Sequence, residues 1–173
     1  SVAIEIAGVP GGLQVYAIER KPEAVELLRK NREQFHMDNI QIIEAPAPEG
    51  LEELPVPTHA FIGGSGGRLL DILQVLYRKN PHMRIVINAI SMETIAELRE
   101  VLEAFPVEEE EILQMQVSRV KKLGGYHLPR AEYPVWICSF TFREIGTDPM
   151  DNAKKTKPGA GETGNGKNGE VQR

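Results

Sequence analysis

AFIGGSGGRLLDIL, residues 60–73, decides how this chain folds. Three apolar residues, Ala60-Phe61-Ile62, close a short strand. Gly63-Gly64-Ser65-Gly66-Gly67 breaks it, and an amphipathic helix follows from Leu69 to Tyr77. A strand that turns through glycines into a helix is the unit from which parallel sheets with crossover helices are built. Glycine also lets backbone approach a ligand closely, and free N–H groups at a helix start attract anions. A flexible turn is the plainer reading, but so many glycines cost ordering entropy that a plain turn has no reason to bear. No Gly-Lys-Ser/Thr follows, which excludes a P-loop.

Working upstream, Gln14–Ile18 reads as a strand ending at Glu19-Arg20. Pro22 opens a helix with an apolar stripe of Ala24, Val25, Leu27, Leu28 and Phe35. Asp38-Asn39 is a turn, Ile40–Ile43 a second strand, and proline-rich Ala45–Pro57 a loop. Residues 1–7 read as the end of a helix stopped by Gly8 and Pro10-Gly11-Gly12; with no initial methionine, this points to a missing upstream segment. Downstream, Arg84–Ile90 is a β-branched strand, and Ser91 caps a helix carrying Ile95, Leu98, Val101 and Leu102. Ile112–Val120 and Val135–Phe142 then alternate as an antiparallel pair, with Lys121–Pro134 as a long connection between them. From about Gly146 almost nothing is apolar, so the reading is one domain over 1–145 and a disordered tail over 146–173. The expected fold class is α/β and Rossmann-like: a mostly parallel sheet with helices on both faces, a C-terminal antiparallel hairpin and its first strand missing.

The balance of 20 Lys+Arg against 25 Asp+Glu argues against a nucleic-acid partner, which wants a basic face. No apolar run approaches a membrane span. The single cysteine, Cys138, excludes a disulfide framework and reads as a buried structural thiol; the four histidines have no metal-ligand spacing. A reducing, cytoplasmic setting is the default. Ligands of doubly wound sheets sit beyond the carboxyl ends of the strands. Glu19 stands at such an end, where an acidic residue accepts hydrogen bonds from ribose hydroxyls; a helix-cap glutamate before Pro22 is the equal alternative. The connection holding Ser118-Arg119, Lys121-Lys122, Gly124-Gly125-Tyr126-His127 and Arg130 would suit a polycarboxylate, although a solvated loop explains it as well.

Four stretches carry a resemblance: VYAIERKPEAVELLRKN (15–31), FIGGSGGRLLDIL (61–73), RIVINAISMET (84–94) and QVSRVKKLGGYHLPRAEYPVWI (116–137). Together they resemble the decarboxylating precorrin-6B and cobalt-precorrin-6B C(15)-methyltransferases of cobalamin biosynthesis. The resemblance implies a class I methyltransferase fold that binds S-adenosylmethionine. It implies Glu19 at the ribose, Ala45, Ala47, Gly63 and Gly64 along the cofactor, and Ser65, Gly66, Gly67, Ser118, Arg119, Gly124 and Gly125 toward a tetrapyrrole. Tyr126 and His127 are candidate proton donors by chemistry. It further implies a homo-oligomer, a tetramer in this family's manner; charge and hydropathy point to neither a nucleic-acid nor a membrane partner. Two departures stand out. Family members carry an Asp-x-Gly-x-Gly-x-Gly-Ser loop before the helix in which this chain begins, with Ser1 as that loop's last residue. Ala45-Pro46 replaces the family's Gly-Asp, so adenine would be read by backbone near Ala45 and Ala47. These departures keep a second reading in play, a non-catalytic domain of the same fold acting in binding or assembly.

Overall fold

The computed structural model describes residues 1–144, so the tail expected over 146–173 lies outside the described residues. In chain order the elements are α1 (Val2–Ala7), β1 (Val15–Glu19), α2 (Pro22–Gln34), β2 (Ile40–Glu44), β3 (His59–Ile62), α3 (Leu69–Lys79), β4 (Arg84–Ala89), α4 (Met92–Ala104), β5 (Val107–Met115), β6 (Ser118–Leu123), β7 (Tyr126–Ala131) and β8 (Val135–Phe142). Pro22 begins α2 as expected, because its fixed φ suits a first turn whose N–H groups have no helical partner. Ser91 caps α4, its hydroxyl accepting the Thr94 amide at 3.2 Å.

The strands form three ladders. β1 and β2 pair in parallel, Val15 opposite Ile40 through Glu19 opposite Glu44. A four-stranded sheet runs β3-β4-β8-β5, parallel between β3 and β4 and antiparallel along both edges of β8. The strand alternation puts Ile85, Ile87, Cys138, Phe140 and Phe142 on one face, where α3 and α4 both pack. On the four-stranded sheet α3 and α4 share that face. α1 instead covers the small ladder, with Ile4 and Ala7 against Ile40, Val15, Ala17 and Ile42.

The third ladder corrects the sequence reading. The stretch Lys121–Pro134 joins β5 to β8 not as a plain loop but largely as a β-hairpin over 118–131, in which Ser118 pairs with Ala131 and Leu123 with Tyr126. The expected strand Ile112–Val120 is cut in two, β5 ending at Met115 and β6 starting at Ser118. Gly124 takes φ 60° in the two-residue turn. Leu123, Tyr126 and Leu128 share one face of the hairpin and Val120 lies on the other, so the apolar residues follow no simple alternation, and Lys121-Lys122, Pro129 and the glycines concealed the strands further.

Candidate functional site

The carboxyl ends of β1, β2 and β3 converge on one cavity. It is bounded by Ile18, Glu19 and Arg20 after β1, by Ala45, Pro46 and Ala47 after β2, and by Gly64, Ser65, Gly66 and Arg68 before α3. Of the residues singled out by sequence, Glu19, Ala45, Ala47, Gly64, Ser65 and Gly66 therefore meet in one place. Its volume is about 180 Å³. Ligand pockets commonly hold roughly 300–1,000 Å³, so this cavity accommodates part of a nucleoside-sized molecule.

Glu19 is held in place by its own backbone. Its Oε1 accepts the amides of Arg20 and Lys21, both at 2.9 Å. That leaves Oε2 able to accept from a ligand, with the carboxylate already oriented. Across the cavity, Gly66 and Gly67 lie at φ 60° and 83°, the left-handed region where any side chain would be strained. The Arg20 guanidinium rests against Gly66, 3.6 Å from where a β-carbon would stand. Arg68 is engaged with Glu49 and Asp71. Its hydrogen bond holds the Glu49 carboxyl below its usual range.

At the start of α3 the first amide is already engaged: Leu69 donates to Glu97 Oε2 at 3.3 Å, and just ahead of the helix Gly67 donates to Ser65 Oγ at 3.3 Å. The Ser65 hydroxyl in turn donates to Glu97 Oε2 at 2.9 Å. Sequence reasoning missed Glu97, Arg20 and Arg68. For Glu97 a signal existed: it lies three residues after Thr94 and four before Val101, a charge on the inner face of α4.

Ser118, Arg119, Gly124, Gly125, Tyr126 and His127 do not line this cavity. They belong to the β6–β7 hairpin, every residue of which is exposed, Tyr126 at 75%. Arg119 pairs with Glu132 at 3.4 Å. Lys121, Leu123, Leu128, Pro129 and Arg130 border a separate recess on the hairpin. Gly63 packs beside Phe61 at the end of β3, just before the cavity. Cys138 is fully buried; desolvation, with the Glu110 charge behind it, pushes its thiol up to about 11, which makes it inert as a nucleophile. Among the described residues no group of His, Cys, Asp or Glu could hold a metal ion, and no helix is long and apolar enough to cross a membrane.

Comparison with known proteins gives this geometry a family. The model of the precorrin methyltransferase domain matches residues 1–141. A probable cobalt-precorrin-6B C(15)-methyltransferase (decarboxylating) of Methanothermobacter thermautotrophicus is 40% identical over 103 residues, covering 58% of this chain and 53% of that protein. The match thus spans about half the length of that relative. A cobalt-precorrin-6B C(15)-methyltransferase (decarboxylating) of Salmonella typhimurium is 33% identical over 138 residues, covering 79% of this chain and 71% of its own. Among solved structures, a precorrin-6y C5,15-methyltransferase of Geobacter metallireducens superposes with a TM-score of 0.74 at 33% identity, over 83% of this chain and 75% of that one.

Proposed function

The chain belongs to the precorrin methyltransferase domain family, and on that premise we propose that it transfers a methyl group from S-adenosylmethionine to carbon 15 of precorrin-6B or cobalt-precorrin-6B, with decarboxylation of the carbon-12 acetate. One observation carries the proposal: the Glu19 carboxylate, fixed by two amides at 2.9 Å, faces the cavity where the ends of β1, β2 and β3 meet. That is the carboxyl-end position at which doubly wound sheets receive a nucleoside. When bound, S-adenosylmethionine supplies an electrophilic methyl. The residues present fit its nucleoside end: an oriented acceptor for ribose at Glu19, and backbone at Ala45 and Ala47 for the base. Gly63 and Gly64 complete this side: a β-carbon at Gly64 would meet nothing within 4 Å, which leaves that space to a ligand, whereas one at Gly63 would stand 3.3 Å from the Phe61 ring.

Carbon 15 of the macrocycle is electron-rich, so the protein's task is alignment and exclusion of water rather than activation of a nucleophile. Loss of carbon dioxide leaves an electron pair that the conjugated macrocycle delocalises, and a proton then returns to the product carbon. We assign the carboxylates of the tetrapyrrole to Ser65, Gly66, Gly67, Ser118, Arg119, Gly124 and Gly125, and the proton to Tyr126 or His127. The hairpin carrying the last two is an arm outside the cavity, so it must act by closing over bound substrate from its own or a second copy. Self-association follows from the same arm. Val120, Leu123, Tyr126 and Leu128 are exposed on it, and a lone two-stranded hairpin is marginal in water. The lone buried thiol suits a reducing cytoplasm.

A second reading, a non-catalytic binding or assembly domain, draws support from the cavity's size and from Ala45-Pro46-Ala47, which offers no acidic side chain to an adenine amine. Calorimetry with S-adenosylmethionine separates the two. It should be run on this chain and on a version extended upstream with the corresponding strand and glycine loop of a relative. The expected result is micromolar binding by the extended version, weakened about tenfold or more by Glu19→Gln. Binding by neither version would remove the methyltransferase reading. Incubation with the tetrapyrrole then tests turnover, read by mass spectrometry as one methyl gained and one carboxyl lost as carbon dioxide.

A further inference from the structure

We propose that Glu97, far along the chain on α4, is a positioning residue that sets the Gly63–Gly67 loop for ligand binding; this rests on the reading of the cavity as the cofactor site. The loop's one buried polar side chain, Ser65, is 9% exposed, and its hydroxyl donates to Glu97 Oε2 at 2.9 Å. The same oxygen accepts the Leu69 amide at 3.3 Å. Leu69 is the first residue of α3, and the residue before it, Arg68, caps nothing with its side chain. Glu97 therefore supplies from a neighbouring helix the cap that α3 lacks, and its negative charge suits the positive end of that helix. Ser65 Oγ also accepts the Gly67 amide, and a β-carbon at Gly67 would stand 3.8 Å from Glu97 Oε1. One carboxylate thus spans the arc from Ser65 to Leu69, within which Gly66, which lines the cavity, and Gly67 take the left-handed conformation. Glu97 is itself anchored by its neighbour Leu98 and by Val101, both buried in the main core.

The glycines permit the loop's left-handed turn, but by themselves they would sample many conformations; in this arrangement α4 selects the one observed. Glu97 touches no ligand in this scheme; it acts through Ser65 and Leu69.

The test uses the chain with Glu97→Ala, Glu97→Gln and, as a control on the same helix, Arg99→Ala. Arg99 forms only an exposed pair with Glu103. Two readouts are taken: hydrogen exchange at Gly67 and Leu69, and S-adenosylmethionine affinity of the chain and of its upstream-extended form. Glu97→Ala should speed exchange at both amides and weaken binding about tenfold, the loss expected for a charge-assisted bond to a partly buried site. Glu97→Gln, which keeps an acceptor oxygen, should recover most of both, and Arg99→Ala should change neither. Unchanged exchange in Glu97→Ala overturns the proposal, as does unchanged affinity with the loop loosened. If the unsubstituted proteins bind no cofactor, the functional reading fails instead; the exchange difference between Glu97 and Glu97→Ala tells that failure apart from failure of the clamp.

Discussion

Each of two units of this molecule contains a parallel strand pair, β1–β2 in one and β3–β4 in the other, and the two are packed differently. In the four-stranded sheet, β4 lies between β3 and β8, and β8 between β4 and β5. With α3 and α4 on one face, Leu73, Met83, Ile85, Ile87, Val101, Cys138, Phe140 and Phe142 lose all contact with solvent. In the β1–β2 ladder each strand has one neighbour, all five residues of β1 are half-buried, and the cluster beneath is Ile4, Ala7 and Ile40. Local sequence is not the cause, since Val15–Glu19 and Ile40–Glu44 are as strand-prone as Arg84–Ala89. Flanking strands make the difference. The site straddles the two units. Glu19 and Ala45 sit on the lightly packed one, and the glycine loop on the tightly packed one. A ligand bridging them stabilises the lighter unit most, because binding favours the conformation that holds it.

The largest effect belongs to the tight unit. Phe142 meets Tyr77 edge-on at 5.2 Å and Phe105 and Phe140 at 5.5 Å each. Phe142→Ala should cost about 3–5 kcal/mol in denaturant unfolding, the usual loss for a buried aromatic. If exchange protection in β1 and β2 survives in that variant, the units fold separately. Cys138 gives a smaller, pH-gated probe of the same core. Its folded-state thiol is raised to about 11 from an ordinary 9.0. The folded form therefore keeps a proton that the unfolded chain releases, and stability falls as pH rises between those values. Over that window the loss should approach about 3 kcal/mol, and Cys138→Ala should flatten the slope relative to the unsubstituted chain. An identical slope in both would show that the thiol does not titrate against the fold.

Much of this was legible in the sequence where one signal dominated. The strand–glycine–helix stretch 60–73, the Pro22 helix start and the Ser91 cap all stand where residue chemistry places them. Glu19, Ala45, Ala47, Gly64, Ser65 and Gly66 do converge, because strand ends in a parallel unit must lie on one side. The β6–β7 hairpin was not legible: an exposed strand needs no apolar alternation on a buried face, so Lys121, Lys122 and Pro129 obscured it. Glu97 escaped for a different reason. The local pattern shows only a charge on the inner face of α4; its meaning depends on a partner 32 residues away, Ser65, which that pattern does not name.

The smallest effect tests the lighter unit alone. Asn39, in the turn before β2, donates from Nδ2 to the Ala7 carbonyl at 2.9 Å and to the Leu13 carbonyl at 2.8 Å. Its own carbonyl accepts the Val15 amide at 2.9 Å. One side chain thus ties the end of α1 and the approach to β1 to the strand they pack against. Asn39→Ala leaves two carbonyls without that donor, at a cost of about 1–2 kcal/mol. Asn39→Asp, which cannot donate when ionised, should behave alike. Because neither carbonyl belongs to the four-stranded sheet, faster exchange should be confined to α1, β1 and β2, with β4 and β8 protected as before. Equal loss of protection in both units would mean that they open together, and the contrast between them would then be one of packing only and not of stability.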